Sequence, residues 1–318
     1  MLSFTEKNIG RRSFLRVGSL GLGGLSLSSL LAAKALAAKA GSVVRDKSVV
    51  FLFMHGGPSQ TETFDPKMTA PAGVRSVTGE VKTSLPGVTY GATFEKLARM
   101  AHKLAVVRSF TTGNGNHDIK PIVCKETLGA NIGSLYARVA GTNHPVSGMP
   151  RNVALFPRAV EPKSQERVTQ FGKFDSTGSL GAGYTPFIPG GSGDLQQDMQ
   201  LNLPRGRLDD RRGLLSRLDQ LKKSLDGNGE GLDRFRQQAF DALLGGVGDA
   251  FDLSKEDPKL VERYDTAPLV RPDQIGRQWN NYNNYVDNAR TLGKLMLMAR
   301  RLCERGCGFV TVTTNFVW

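Results

Sequence analysis

Four apolar runs, each bounded by glycine or polar residues, constrain most strongly what this chain can fold into. They are SVVFLFM (48–54), LAVVRSF (104–110), NVALFP (152–157) and GFVTVTTNFVW (308–318). Continuous apolar runs of this length are typical of strands that are covered on both faces, as in a parallel sheet. Helical patterns separate the runs, and the sequence therefore predicts an α/β domain with right-handed crossovers.

Apolar residues at helical spacing predict a short helix at 92–104 and longer helices at about 119–140 and 271–305. The highly charged segment 208–264 is predicted to be a helical flank or insertion. The intervening segment 171–204 is rich in glycine and loop-like, and such a long irregular segment in a compact domain is usually functional or mobile.

The N-terminal segment carries a paired arginine, Arg11 and Arg12, within GRRSFLR, followed by a weakly apolar run rich in Gly, Ser and Ala. This pattern resembles a twin-arginine export signal. We therefore expect a signal peptide at 1–40, a domain at 41–318 and a periplasmic or other extracytoplasmic location. An amphipathic helix or a membrane anchor is the alternative, but Lys34 and the Gly and Ser residues disfavour a permanent membrane span.

The net charge of +13 favours anionic partners, such as a sulfated or phosphorylated polymer. The basic residues are spread along the chain without an aromatic-interleaved block, so we expect no nucleic-acid partner. Two of the three cysteines, Cys303 and Cys307, are one helical turn apart. They are interpreted either as buried thiols or, in an exported protein, as a disulfide.

Polar loops follow the first two predicted strands, HGGPSQTETFD after the first and TTGNGNHD after the second. In open α/β sheets, sites form at the carboxyl ends of the strands. Carboxylates with imidazole suit a divalent ion, and a hydroxyl at such an ion becomes a nucleophile. The structural alternative is a glycine turn in the first loop and a helix cap in the second. The candidates are His55, Ser59, Thr61, Glu62, Thr63, Asp65, Thr111, Thr112, Asn114, Asn116, His117 and Asp118.

The strings FLFMHGGPSQTETFDPK and LAVVRSFTTGNGNHD, with the twin-arginine start, resemble the exported bacterial proteins grouped as domain of unknown function 1501. That group falls within the alkaline phosphatase and sulfatase superfamily, and the resemblance covers nearly the whole chain. It implies a three-layer α/β/α sandwich around a mostly parallel sheet. It also implies a metal-dependent hydrolase of phosphate or sulfate esters, with zinc, calcium or magnesium as the cofactor.

Given that resemblance, Glu62, Asp65 and His117 are predicted to bind the metal directly or to support its ligands by hydrogen bonds. Either Thr111 or Thr112 is the predicted nucleophile, and the sequence does not choose between them. Relatives often carry Asp in place of Glu62, whose extra methylene displaces the ligand oxygen. The alternative function is a non-catalytic exported protein that binds an anionic glycan or cell-surface polymer through its glycine-rich loop (178–194) and basic helices.

Relatives also continue past the strand at 309–318 with an Asp-x-His segment, so the chain looks truncated at its C-terminus. We therefore expect little or no hydrolysis of simple phosphate or sulfate esters by the chain as given. We also expect the last strand to lie at an exposed hydrophobic edge of the sheet.

Overall fold

The computed structural model describes most of the domain that follows the N-terminal segment. The described residues are 47–54, 58–111, 123–167, 172–190, 204, 206–211, 213–215, 217 and 247–315. The predicted signal peptide (1–40), Thr112 and His117 lie outside them. Within the described residues, no helix has both the length and the apolar character needed to cross a membrane.

The described strands form a parallel three-stranded sheet and a separate antiparallel hairpin. The sheet has the order β1–β5–β4, and Val49 and Asn152 both align with Phe309 of the central strand. The hairpin pairs β2 with β3. The strands are β1 (Val49–Phe53), β2 (Glu80–Lys82), β3 (Thr89–Gly91), β4 (Asn152–Leu155) and β5 (Phe309–Thr313). The parallel sheet confirms the predicted α/β class.

Helices of very different lengths accompany the strands. The α-helices are α1 (Glu95–Arg99), α2 (Ile132–Ala140), α3 (Gly248–Phe251), α4 (Pro258–Arg263), α5 (Ala267–Val270) and α6 (Tyr282–Glu304). Short 3-10 turns occupy Ala92–Phe94, Ala101–Lys103, Pro157–Ala159, Gly178–Leu180, Ala182–Tyr184, Leu253–Lys255 and Pro272–Gln274. Residues 206–211 and 213–215 are helical as well.

The main core lies between α6 and one face of the sheet. Val310 and Val312 of β5 pack there with Leu295 and Leu302 of α6, and all four are fully buried. Alternate residues of a strand point to opposite faces. Phe309 therefore lies on the other face, where its ring lies 6.0 Å from that of Tyr136 on α2. Helices thus contact both faces of β5.

A second, smaller core belongs to the hairpin and α1. Tyr90 of β3 is 2% exposed, and its ring meets that of Phe64 edge-on at a centroid distance of 5.1 Å. Ala98 of α1 is completely buried in the same cluster. The hairpin therefore holds the segment around Phe64, which follows β1, in a fixed local fold.

Two strand predictions are wrong. The run 104–110 forms no strand and is exposed, because its backbone from residue 105 onward makes no ladder with another described residue. A local apolar pattern cannot provide that partner strand. The last strand is not an edge either, since β5 lies between β1 and β4. The edge strands of the described sheet are β1 and β4, and β1 is the exposed one, since Val49 and Val50 are 45% and 40% exposed whereas β4 is buried.

Two predicted helices are shorter than expected. The part of 119–140 that the structure describes is helical only from Ile132, and the chain turns at Gly129, which has a φ of +74°. The helix expected at 271–305 begins at Tyr282, after the left-handed residues Arg271 and Asn281. Positive φ angles interrupt a right-handed helix, and the apolar periodicity does not reveal them.

Candidate functional site

The three strands of the parallel sheet run in the same direction, so their carboxyl ends lie at the same end of the sheet. Their last residues are Phe53, Leu155 and Thr313. The segments that follow these carboxyl ends carry most of the polar residues considered below, as expected for an open α/β sheet.

Glu62 has both carboxylate oxygens engaged by the turn at residues 76–79. Its Oε1 accepts a hydrogen bond from Val77 N at 2.7 Å. Its Oε2 accepts from Ser76 Oγ at 2.9 Å and from both the hydroxyl and the amide of Thr78. These bonds, led by that from the Thr78 hydroxyl, lower the pKa of Glu62 to about 2. The described contacts give Glu62 a structural role, and its role as a metal ligand stays a prediction.

The local backbone around Glu62 requires a glycine on the neighbouring strand. Gly91 N donates to Thr63 O at 2.6 Å, and a Cβ on Gly91 would lie only 2.3 Å from Glu62 O. Any larger residue would therefore separate β3 from the segment that carries the predicted ligands.

Asp65 is better placed to bind a ligand. Its side chain is 24% exposed, with Lys67 Nζ 3.6 Å from Oδ2 and Arg108 Nη1 4.0 Å from Oδ1. Both distances exceed normal hydrogen-bond length, so among the described residues neither cation hydrogen-bonds to the carboxylate oxygens, whose lone pairs a metal ion would use. We call Asp65, Lys67 and Arg108 the Asp65 surface.

The Asp65 surface joins the two segments that sequence analysis assigned to one site. Arg108 belongs to the run 104–110, and its Nη2 also donates to Thr89 O on the hairpin at 3.2 Å. The second predicted loop therefore starts near Asp65, and Thr111 is exposed three residues later. His117 and Thr112 lie outside the described residues, so their proximity to Asp65 stays a prediction.

Sequence reasoning missed a polar group at the end of the central strand. Asn315 is 1% exposed, and its backbone is held by Asn288 of α6 through two hydrogen bonds, of 2.8 and 2.9 Å. Its Nδ2 donates to Gln165 O at 3.2 Å. The position of Asn315, directly past the carboxyl end of a buried strand, was the signal that could have revealed it.

The fold and these polar segments define an α/β protein with candidate binding groups past the ends of parallel strands. A family model described as "Protein of unknown function (DUF1501)" matches residues 46–318, and the chain belongs to this family. No curated protein and no solved structure matches the chain. Among the described residues, no three His, Cys, Asp or Glu side chains are grouped as metal ligands.

Proposed function

We propose that this protein is an exported, metal-dependent hydrolase-like protein that acts on phosphate or sulfate esters, with an alkaline phosphatase-like three-layer sandwich as its fold. The observation that carries the proposal is the contact between Asp65 and Arg108. It joins a carboxylate, to which neither neighbouring cation hydrogen-bonds, to the segment that leads into Thr111, Thr112 and His117.

In this proposal Asp65 and His117 hold a divalent ion, and Glu62 supports them by fixing the turn at 76–79. The bound ion would act as a Lewis acid and stabilise an alkoxide on Thr111 or Thr112. Carboxylate and imidazole ligands fit zinc, and carboxylates also fit calcium or magnesium.

Lys67 and Arg108 give the site a preference for anionic esters. Their side chains are 43% and 42% exposed, and both lie beside Asp65. A guanidinium group binds phosphate or sulfate oxygens in a bidentate manner, and a lysine adds a mobile point charge. The ester group would therefore be oriented by Arg108 next to the metal.

The same exposed cations favour a second candidate function, which is the binding of an anionic glycan or cell-surface polymer without turnover. In that case Arg108→Ala would weaken binding of a sulfated polysaccharide, while Asp65→Asn would leave it unchanged or stronger. If the protein is instead the proposed hydrolase, Asp65→Asn removes a metal ligand.

The deciding experiment is equilibrium dialysis of the metal-stripped chain against Zn²⁺, followed by elemental analysis. We expect the number of bound ions per chain to fall by one in Asp65→Asn and by the same one in His117→Gln. Asp210→Asn, an exposed carboxylate on the helical residues 206–211, is the matched control and should bind as the parent does. Unchanged stoichiometry in both site variants would remove the basis for the hydrolase and leave the binding function.

A further inference from the structure

Residues 95–110, which run through α1 into the exposed run after it, bury small side chains and expose large ones. Ala98 and Ala101 are buried against the hairpin in the smaller core. Six large apolar side chains of the segment are exposed instead, namely Leu97, Met100, Leu104, Val106, Val107 and Phe110. A surface helix normally does the opposite. We call residues 95–110 the 95–110 surface.

Hydrogen bonds hold the 95–110 surface to the hairpin at two points. Ser84 N, in the loop between β2 and β3, donates to Ala98 O at 2.9 Å, and His102 N donates to Ser84 Oγ at 3.2 Å. Further along the chain, Arg108 Nη2 donates to Thr89 O at 3.2 Å. The exposure of the large side chains therefore belongs to a segment that is fastened to the hairpin.

The degree of exposure is largest towards the end of the segment. Met100 is 46% exposed, Phe110 is 63% exposed and Val107 is 75% exposed. Single exposed apolar residues are common on protein surfaces, but a group of six within one short segment marks a site of interaction.

The charged side chains of the 95–110 surface are mostly basic. They are four cations and one carboxylate, namely Lys96, Arg99, Lys103, Arg108 and Glu95. Glu95 pairs with Arg99, and Lys96 and Lys103 are exposed. The surface therefore combines apolar side chains with an excess of positive charge.

This combination fits an anionic lipid surface better than it fits other partners. A sulfated polymer would use the cations and leave the apolar side chains in water. A second copy of the chain would cover the apolar side chains but would bring two positively charged surfaces together, which is unfavourable. A bilayer accepts both kinds of side chain, because apolar groups enter the boundary of the acyl chains while anionic headgroups attract lysine and arginine.

We propose that the 95–110 surface binds the surface of a membrane that contains anionic phospholipid. The contact is peripheral, with the apolar side chains about 5–10 Å into the boundary between headgroups and acyl chains. It brings Arg108, and with it the Asp65 surface, next to the lipid headgroups. Lipid binding requires neither the metal nor turnover, and so goes beyond the proposed function.

The test places a fluorescent reporter within the surface of the full chain. The two tryptophans, Trp279 and Trp318, are replaced by Phe, and Phe110→Trp then supplies the only tryptophan. Its emission is measured with vesicles whose acyl chains carry bromine, which quenches tryptophan on contact. A local reporter distinguishes this contact from any binding of lipid by the N-terminal segment.

We expect vesicles of phosphatidylglycerol to quench the Phe110→Trp reporter and vesicles of phosphatidylcholine to leave it almost unchanged. Quenching should fall at about 0.5 M salt, because salt screens exposed charges. Val146→Trp in the same background is the matched control, since Val146 is 89% exposed but lies outside the 95–110 surface. Its emission should not be quenched.

Lysine variants measure the contribution of charge. Lys96→Gln together with Lys103→Gln should raise the lipid concentration for half-maximal quenching about thirtyfold, the loss expected for two basic residues at an anionic membrane. Lys163→Gln together with Lys259→Gln, which removes two exposed lysines elsewhere, should change it little. An Asp65→Asn, His117→Gln background disables the proposed ester site and should not weaken the quenching.

Several results would overturn the inference. One is quenching of Phe110→Trp that is no stronger than that of Val146→Trp, or that is equal in neutral and anionic vesicles. Another is quenching that is lost in the Asp65→Asn, His117→Gln background, which would assign the lipid to the ester site. A dimer in lipid-free sedimentation equilibrium that Val107→Ser and Phe110→Ser dissociate would assign the surface to a second copy. Binding of dextran sulfate, but not of lipid, through Lys96 and Lys103 would assign it to a polymer.

Discussion

Thr78 donates to the Glu62 carboxylate through both its hydroxyl and its backbone amide, and so fixes a turn that begins 14 residues after Glu62. These bonds favour the charged carboxylate, which is why the pKa of Glu62 falls from 4.5 to about 2. The link connects the segment after β1 to the start of the hairpin.

The lowered pKa of Glu62 predicts a specific acid dependence of stability. A carboxyl whose folded-state pKa is depressed stabilises the fold above its unfolded pKa, and this contribution is lost as the pH falls from about 4.5 to about 2. Glu62→Gln should therefore lower the urea midpoint at pH 7, and the difference from the parent should shrink towards pH 2. Glu95→Gln serves as the control, because the Glu95 side chain is 62% exposed. A difference that is independent of pH would contradict this role.

Arg301 is predicted to be a major contributor to stability. This residue is 7% exposed, pairs with Glu256, and donates to Asp249 O at 2.8 Å and Ala250 O at 3.2 Å. Arg301→Ala should cost about 2–4 kcal/mol in the free energy of unfolding, because it leaves those carbonyls unpaired. Chemical denaturation measures this cost.

The neighbouring Arg300 provides the comparison for Arg301. It makes an exposed pair with Glu304, one turn along α6. Arg300→Ala should cost no more than about 0.5 kcal/mol. Equal costs for the two arginines would show that α3 is not held to α6 by Arg301.

Gly293 marks a close approach between α6 and the chain after α4. A Cβ at this position would lie 1.6 Å from Tyr264 O, so Gly293→Ala must displace the backbone. We expect a loss of about 2–4 kcal/mol, despite the better helix propensity of Ala. Gly213, in a helical stretch with nothing within 4 Å of its would-be Cβ, should instead gain up to about 1 kcal/mol in Gly213→Ala. Matched urea titrations would decide whether the two glycines differ.

The cysteines should differ in their reactivity. All three are free, which excludes the disulfide considered for Cys303 and Cys307. Burial raises the pKa of Cys307 to about 12 and also raises that of Cys303. Iodoacetamide at pH 8 should therefore modify Cys124 first and Cys307 only after unfolding, since the thiolate is the reactive form. Peptide mass spectrometry measures the order, and early modification of Cys307 would show that its surroundings open in the native state.

Sequence patterns predicted which segments form the central part of the sheet better than they predicted which strand lies at its edge. Within NVALFP and GFVTVTTNFVW, the residues Asn152–Leu155 and Phe309–Thr313 form strands whose side chains are buried on both faces of the sheet, which a local apolar pattern encodes. LAVVRSF is a similarly apolar run but has no partner strand among the described residues, because strand pairing depends on residues far away in the sequence. Asp65 could be chosen from its position after β1, whereas Arg108 became a candidate only through its contact with Asp65, which lies far away in the sequence.

The central claim is that Asp65 and His117 hold the same metal ion, and a double-mutant cycle of Zn²⁺ affinity tests it most directly. The cycle compares the parent, Asp65→Asn, His117→Gln and the double variant by competition with a chromogenic chelator. If the two residues share an ion, each single variant should weaken binding strongly and the double variant should lose little more, because ligands of one site are not independent. Losses that simply add, or a full-affinity site in either single variant, would contradict the claim.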